Sequence, residues 1–349
     1  MPSGPAPATS HQPPPTPFAP VVPGYKIQFP RDEGSHPDFR LEWWYLTGWL
    51  NEGAESLGFQ VTFFRVRPDL KHHNPSAFSP RQILIAHAAI SDPVQGRLLH
   101  AQRAARAGFG LAGADENRTR VWIDEWRLHQ EGNSYRAHIP GQEFSLDLAF
   151  AATQAPLLQG VNGLSRKGPA PQSASYYYSL PHLKVSGTVT RSAKPRTVAG
   201  TAWLDHEWSS QYMEKTAVGW DWVGINLDDG SALMAFRMRG KDGSSFWAGG
   251  TLRRADGSVR SFEPGEVRFV PHREWRSPRT GTTYPVSWQI RAGGDLELVI
   301  EPLFDDQEHD TRASTGTIYW EGAVRALRDG KPAGLGYLEL TGYWRRVDL

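Results

Sequence analysis

Apolar and polar residues alternate along several short stretches of this chain, and turn-forming residues separate the stretches. Residues 41–50 and 58–67 follow this pattern, with the turn signal Asn51-Glu52-Gly53 between them. Alternation with a period of two on either side of such a turn is typical of a β-hairpin. A helical period is rare, although the Ala and Arg content of residues 100–106 favours a helix of two turns there. The pattern therefore predicts an all-β fold.

The hairpin pattern recurs in the second half of the chain. Trp43 and Tyr45 align with Trp220 and Trp222, and the strand that follows each aromatic pair also recurs. An internal repeat of this length indicates a duplicated domain, because solenoid repeats are much shorter. We therefore predict two similar antiparallel β domains in tandem.

Residues 186–205 and residues 321–340, which lie at the ends of the two halves, are also similar to each other. Together the two similarities predict an N-terminal domain at residues 25–212 and a C-terminal domain at residues 213–349. Residues 1–24 precede the first domain and have a different composition.

Nine of the first 23 residues are proline, and half of the others are Ala, Ser or Thr. Such a segment buries too little apolar area to offset its ordering entropy, so we expect a disordered, polyproline-like tail. The tail does not start with a basic region followed by an apolar run, so it lacks the pattern of an intact signal peptide. Either an exported protein whose signal was removed or a cytoplasmic protein with a loose end fits this observation.

Composition excludes several classes of function. The 38 Lys and Arg residues nearly cancel the 37 Asp and Glu residues, and no long basic run appears, which argues against nucleic-acid binding. The chain has no Cys, which excludes disulfides, thiolate metal sites and Cys nucleophiles. Its 14 Trp, 11 Tyr and 15 Phe favour an aromatic-lined β protein. Its apolar runs are far shorter than the roughly 18 residues of a membrane-spanning helix.

Residues 203–208 carry the richest candidate chemistry, two acids and an imidazole between two indoles. On a strand, Trp203, Asp205 and Glu207 share one face, and His206 lies on the other. Desolvation beside apolar rings favours the protonated form of an Asp, which makes it a general acid near neutral pH. A buried polar cluster that only orients the two domains explains the same residues.

Two aromatic stretches are further candidates. Residues 220–222 place Asp221 between two Trp residues, so Asp221 is the alternative acid. Residues 176–178 are three consecutive Tyr, which put hydroxyls on both faces of one strand. A buried phenol needs a hydrogen-bond partner or a ligand. Core packing is the competing explanation for each of these aromatic residues.

Several motifs, in one order over residues 25–347, resemble the carotenoid 1,2-hydratase (CrtC-like) superfamily. The closer likeness is to its AttH-like branch, whose members are called predicted secreted hydrolases. The motifs are His36-x-Asp38, Glu42-Trp43-Trp44-Tyr45-x-Thr47-Gly48, Ala86-His87-Ala88, Tyr176-Tyr177-Tyr178-Ser179, residues 203–208, residues 220–222, residues 319–322 and residues 336–343.

The resemblance implies tandem lipocalin-like β-barrels and a pocket, within a barrel or between the domains, for an extended hydrophobic isoprenoid- or lipid-like molecule. Members of the superfamily hydrate acyclic carotenoids, and fungal relatives shape polyketide rings by cycloaddition. The AttH-like branch looks as if it is encoded beside ABC-type lipid or lipoprotein export permeases. It thus implies a periplasmic or secreted location and an export permease as a partner.

Carried over residue by residue, the resemblance implies that Asp205 is the acid of a hydro-lyase and that His206 orients or deprotonates the water. It implies no metal and no organic cofactor. The alternative is a non-catalytic lipocalin-like carrier or export accessory, while hydrolysis lacks a nucleophile motif. The residues expected to contact the substrate are Trp43, Tyr45, Tyr177, Trp203, Glu207, Trp208, Trp220, Asp221 and Trp222.

Overall fold

The computed structural model describes residues 18–69, 76 and 79–347, and within them the chain forms two antiparallel β-sheets. The first sheet has 13 strands and the second has 10. The prediction of an all-β fold with two tandem lipocalin-like barrels is confirmed. The helical segments of the described residues are the 3-10 turns Arg31–Glu33 and Pro264–Glu266.

The first sheet runs in the order β4-β3-β2-β1-β13-β12-β9-β8-β7-β6-β5, with β10 and β11 also paired to β12. Strands β3 and β4 approach β6, so the sheet curls back on itself. Its strands are β1 (Leu41–Glu52), β2 (Glu55–Val66), β3 (Ile83–Asp92), β4 (Arg97–Arg106), β5 (Ala112–Ala114), β6 (Arg120–Ile123), β7 (Trp126–Glu131), β8 (Ser134–Ile139), β9 (Phe144–Ala151), β10 (Leu157–Leu158), β11 (Leu164–Arg166), β12 (Ala174–Arg191) and β13 (Lys194–Gln211).

The second sheet runs in the order β17-β16-β15-β14-β23-β22-β20-β19-β18, with β21 also paired to β22. Strands β15 and β16 approach β18 and close the curl. Its strands are β14 (Ala217–Leu227), β15 (Ala232–Gly240), β16 (Ser245–Arg253), β17 (Val259–Phe262), β18 (Val267–Arg276), β19 (Thr283–Ala292), β20 (Leu296–Pro302), β21 (Glu308–Asp310), β22 (Ile318–Arg328) and β23 (Lys331–Leu340).

Both predicted hairpins are present. Strand β1 pairs with β2, and β14 pairs with β15. Gly53 supplies the positive φ of the first turn, a conformation that costs glycine little. The helix predicted at residues 100–106 is wrong, because these residues belong to β4 and pair along their whole length with β3. Tertiary pairing outweighs the helix propensity of Ala and Arg, which amounts to only a few tenths of a kcal/mol per residue.

Cross-strand register corrects the alignment of the duplicated halves. Glu42 lies opposite Arg65 on the neighbouring strand, and Asp221 lies opposite Arg237. Each pair is an acid and an arginine joined by an ion pair. By this register Trp43 corresponds to Trp222, two residues further along than the sequence alignment places it. The shift of two keeps each aromatic side chain on the predicted face.

Three clusters of apolar side chains make up the core. One fills the first barrel and includes Trp44, Phe59 and Phe63, and one fills the second barrel around Trp288 and Trp320. The third lies between the two sheets and is rich in aromatic residues, with Tyr45, Tyr177, Trp203, Trp222 and Tyr337 among its members. The two barrels are therefore packed against each other through a substantial core of their own.

The predicted Pro-rich tail divides into two parts. Residues 1–17 lie outside the described residues. The part at residues 18–24 contacts the first barrel: Val21 is buried, and the backbone of Val22 exchanges hydrogen bonds of 2.9 and 2.8 Å with the Tyr176 hydroxyl. Ser210 also donates a hydrogen bond to the Ala19 carbonyl.

Candidate functional site

A cavity of about 340 Å³ lies between the two sheets. Strands β1, β2 and β13 supply its first wall, and β14, β22 and β23 supply the second. Side chains fill the interiors of both barrels, so this interdomain space is where an apolar ligand fits. The predicted site residues that line the cavity are Trp43, Tyr45, Tyr177, Asp205, Glu207, Trp220 and Trp222.

Strand β13 divides its side chains between two compartments. Asp205 and Glu207 face the cavity, and Trp203 packs in the interdomain cluster beside them. His206 and Trp208 lie on the other side, among residues of the first barrel. This division follows from the two-residue period of a strand.

Asp205 has an unusual environment for a carboxyl group. It is 3 % exposed and accepts hydrogen bonds from Tyr177 Oη at 2.7 Å, Ser179 Oγ at 2.5 Å and Trp203 Nε1 at 2.6 Å. Burial raises the pKa of Asp205 to about 7 despite these three donors, and the nearby Glu207 carboxyl adds to the rise. The group therefore exchanges its proton near neutral pH, as a general acid must.

A hydrogen-bonded chain reaches Asp205 from the second domain. Trp222 Nε1 donates to the Tyr177 hydroxyl at 3.1 Å, and that hydroxyl donates to Asp205 Oδ2. Trp222 and Tyr177 come from different barrels, so the chain fixes the orientation of Asp205 by interdomain packing. The acid is therefore sensitive to how the two domains fit together.

Glu207 is held by a buried lysine. Lys167 Nζ lies 2.8 Å from Glu207 Oε1, and Ser175 donates a hydrogen bond to the same oxygen. Lys167 also lies over the rings of Tyr177 and Phe236, at 5.1 and 4.3 Å from their centroids. Burial lowers the pKa of Lys167, and burial raises the pKa of Glu207. The Lys167–Glu207 pair thus holds the Glu207 side chain in the cavity wall beside Asp205.

Sequence reasoning missed two acids on the opposite wall, Glu321 and Glu339. They lie directly opposite each other on β22 and β23, and both line the cavity. Trp220 Nε1 donates a hydrogen bond of 2.9 Å to Glu339 Oε2. Burial raises the pKa of Glu339 to about 7, and burial with the Glu339 charge raises that of Glu321 well above its usual range. The sequence feature that could have indicated them is an acid among the apolar residues of each of the last two strands.

His206 belongs to a polar network inside the first barrel. Its Nε2 lies 2.9 Å from Glu42 Oε1 and its Nδ1 3.2 Å from the Tyr178 hydroxyl. His36 Nδ1 lies 2.7 Å from the same Glu42 oxygen, and Arg65 Nε donates to Glu42 Oε2 at 2.7 Å. Burial opposes ionisation, but the charges of Arg65 and His36 hold the pKa of Glu42 well below its usual range. Because His206 points into this network, its side chain does not reach the cavity.

The ligand atoms of His36, Glu42 and His206 lie within 4.8 Å of one another, a spacing that would suit a metal ion. Arg65 occupies the other oxygen of the same carboxylate, and its fixed positive charge disfavours a second cation there. The His36 ring also stacks on the Trp208 ring, with the ring centroids 3.8 Å apart. These contacts fit a structural network better than a metal centre.

Asp221, the alternative acid, also faces away from the cavity. Arg237 Nε and Arg239 Nε lie 2.5 and 3.1 Å from its carboxylate oxygens. It is fully buried and occupies in the second barrel the position that Glu42 has in the first. Of the two candidate acids, only Asp205 contacts the cavity.

Comparison with known proteins now adds to this geometry. The family model described as AttH-like matches residues 20–343. The chain belongs to the AttH-like family. Comparison with curated proteins finds no match.

Solved structures resemble this AttH-like protein over most of its length. A putative AttH from Nitrosomonas europaea is 52% identical, with a TM-score of 0.88 over 93% of this chain and 100% of its own. Kievitone hydratase from Nectria haematococca is 15% identical, with a TM-score of 0.69 over 94% and 99%. CghA with Sch210972 is 12% identical, with a TM-score of 0.54 over 87% and 88%. The last two show a shared fold.

No helix within the described part of the AttH-like chain has the length and apolarity needed to cross a membrane.

Proposed function

We propose that this AttH-like protein binds an extended apolar molecule in the interdomain cavity and adds water across one of its C=C bonds. The observation that carries the proposal is Asp205, a buried acid with a pKa of about 7 in the wall of an aromatic-lined cavity. An acid of this kind holds its proton in the resting protein and releases it to a weakly basic alkene carbon.

The reaction balances without a cofactor. Asp205 transfers its proton to one alkene carbon, a C–H bond forms, and the π electrons leave a carbocation at the other carbon. The faces of Trp43, Trp220 and Trp222 line the space where this charge develops, and each stabilises a cation by up to about 2 kcal/mol when desolvated. Water forms the C–O bond, and its excess proton returns to the Asp205 carboxylate. The product is an alcohol.

His206 has no contact with the substrate in this scheme, because its side chain lies inside the first barrel. The role of handling water that the sequence suggests for it requires a side chain in the cavity. Its hydrogen bond to Glu42 gives it a packing role behind the strand that carries Asp205.

The shared fold supports hydration as the reaction class. One structural neighbour is named kievitone hydratase, and it has the same fold over nearly the whole of both chains. Fold alone does not carry a substrate from one protein to another. For this reason the proposal names an apolar alkene and no particular compound.

The test is incubation of the purified protein with a panel of acyclic isoprenoids in ¹⁸O-labelled water, followed by mass spectrometry. We expect a product that has gained one labelled water and that disappears with Asp205→Asn. Asp147→Asn is the matched control, since Asp147 is exposed on β9 of the same sheet. An adduct that persists in Asp205→Asn removes Asp205 from the mechanism.

If no labelled adduct forms while an apolar molecule co-extracts with the protein, the carrier function replaces the hydratase. In that case we propose an accessory role in an ABC-type lipid or lipoprotein export system, in the periplasm or outside the cell. Support for this location and partner comes from the family resemblance. Cell fractionation with an antibody to the native protein tests the location independently of any activity.

A further inference from the structure

The two glutamates in the second wall form an uncommon pair. Glu321 and Glu339 are directly opposite across β22 and β23, an arrangement in which like charges repel. Glu321 is 2 % exposed, while Glu339 is half-buried and exposed toward the cavity. Two carboxyl groups so close together beside an apolar space resist ionising together, and a bound cation would favour their charged forms.

Lys or Arg side chains lie beside three other buried carboxylates in this part of the molecule. Within the described residues neither Glu321 nor Glu339 contacts a Lys or Arg, and the neighbouring His309, 3.6 Å from Glu321, is kept neutral by burial. The paired carboxylates are Glu42 with Arg65, Glu207 with Lys167, and Asp221 with Arg237 and Arg239.

Unpartnered polar atoms point to a ligand at the same place. The Tyr45 hydroxyl and Glu321 Oε1 are both buried, and neither makes a hydrogen bond of good geometry within the described residues, although the two side chains lie close enough to interact. Both residues line the cavity. A buried polar atom without a partner destabilises the protein, and a ligand that supplies the partner removes this cost. Trp220 and Trp222 add aromatic surface next to the pair.

We propose that Glu321 and Glu339 form a cation site that binds the ammonium group of an otherwise apolar ligand. Carboxylates flanked by aromatic faces are the chemistry that recognises ammonium groups, since the ring faces and the acids both attract positive charge. The inference rests on the proposed binding of an apolar molecule in the cavity. It adds that the ligand carries a positive charge at the end that meets β22 and β23.

The other charges of the cavity set the orientation of the ligand. Arg345 and Arg346 also line it, but they are exposed and lie at its solvent edge. Arg345 donates a hydrogen bond to the Gly316 carbonyl and lies over the Trp344 ring. Their positive charge favours a ligand whose ammonium group lies inward at the glutamates.

Three probes with the same chain length test the site: octyltrimethylammonium, octan-1-ol and octanoate. Binding is measured by isothermal titration calorimetry at about pH 8, where Glu339, whose pKa is about 7, supplies the negative charge. We expect octyltrimethylammonium to bind at least about tenfold more tightly than octan-1-ol, and octanoate to bind most weakly. In Glu321→Gln and Glu339→Gln the ammonium should lose this advantage while octan-1-ol binds as before.

Glu297→Gln is the matched control, because Glu297 is an exposed acid on β20 of the same sheet. Equal binding of the ammonium and the alcohol, or tighter binding of octanoate, overturns the cation site and leaves the apolar cavity intact. Failure of all three probes to bind overturns the proposed cavity function and the cation site together. The comparison of probes on the unmodified protein keeps the test decisive even where a variant does not fold.

Discussion

Asp205 and His206 are consecutive on strand β13, yet their side chains lie in different compartments. Asp205 faces the interdomain cavity and accepts a hydrogen bond from Tyr177, whereas His206 lies in the first barrel against Glu42. One residue of strand alternation thus separates the candidate acid from the structural network that supports its strand. Substitutions at the two positions should affect different properties of the protein.

Asp205→Asn should change how stability depends on pH. The pKa of the Asp205 carboxyl is near its usual value of 3.8 in the unfolded chain and about 7 in the folded protein, so between these values the folded state binds more protons. The contribution of Asp205 to stability is therefore present at low pH and is lost as pH rises to about 7. The three-unit difference corresponds to at most about 4 kcal/mol. Urea unfolding at about pH 4.5 and 7.5 measures it.

We expect the stability of Asp205→Asn relative to the wild type to increase as pH rises through this range. The exposed-site variant Asp147→Asn should follow the wild type. Parallel pH profiles for the wild type and Asp205→Asn would show that Asp205 titrates as an ordinary carboxyl. That result would also remove the physical basis for its role as an acid.

Much of the first wall of the site could be predicted from the sequence. The period of a strand is enough to place Asp205 and Glu207 on one face and His206 on the other. The location of the cavity could not be predicted this way, because alternation does not say which face meets the barrel interior. That depends on how the two sheets pack, and the packing is set by residues far apart in the chain, such as Tyr177 and Trp222.

The register of β22 and β23 shows why Glu321 and Glu339 were missed in the second wall. Counted back from the turn between β22 and β23, Glu321 would face Leu338. A register shift between Ala326 and Leu327 moves the pairing by one residue, so Glu321 meets Glu339 instead. Such an irregularity leaves no clear mark in the sequence, and a single-residue slip changes which side chains share a face.

The duplicated acid–arginine pairs predict unequal effects of equivalent substitutions. Arg65→Leu leaves Glu42 buried without its arginine, a change that costs about 3–5 kcal/mol. Arg237→Leu should cost roughly half as much, because Arg239 still pairs with Asp221. Urea unfolding of the two variants beside the wild type measures the difference. Equal losses would mean that the second arginine contributes nothing to holding Asp221.

Gly224→Ala should damage the cavity more than the fold. A Cβ at this position would lie 2.5 Å from Cη2 of Trp222 and 3.3 Å from Cδ2 of Trp203, so both indoles must move. Overpacking of this kind costs about 1–3 kcal/mol. Because Trp222 lines the cavity and donates to Tyr177, we expect octan-1-ol binding to weaken about tenfold.

Titration calorimetry of Gly224→Ala and Gly265→Ala against octan-1-ol separates the local effect from a general one. Gly265 has open space around the position of a Cβ, so its substitution should leave affinity unchanged. Unchanged affinity in Gly224→Ala would mean that Trp222 does not shape the bound state.

His309→Leu should make the protein less sensitive to acid. His309 is fully buried beside His87 and His100, with ring centroids 5.2 and 4.8 Å away, and within the described residues neither of its ring nitrogens has a hydrogen-bond partner. Burial and these two imidazoles hold the pKa of His309 well below its usual value of 6.5. The contribution of neutral His309 to stability is therefore complete above pH 6.5 and is lost as pH falls, since the unfolded state then binds the extra proton.

Leucine removes this loss and the unpartnered nitrogens. In urea unfolding between about pH 7 and 4, the stability of His309→Leu should therefore decline less steeply than that of the wild type. The exposed-site variant His138→Leu should keep the wild-type decline. A decline as steep in His309→Leu as in the wild type would assign the acid sensitivity to other groups.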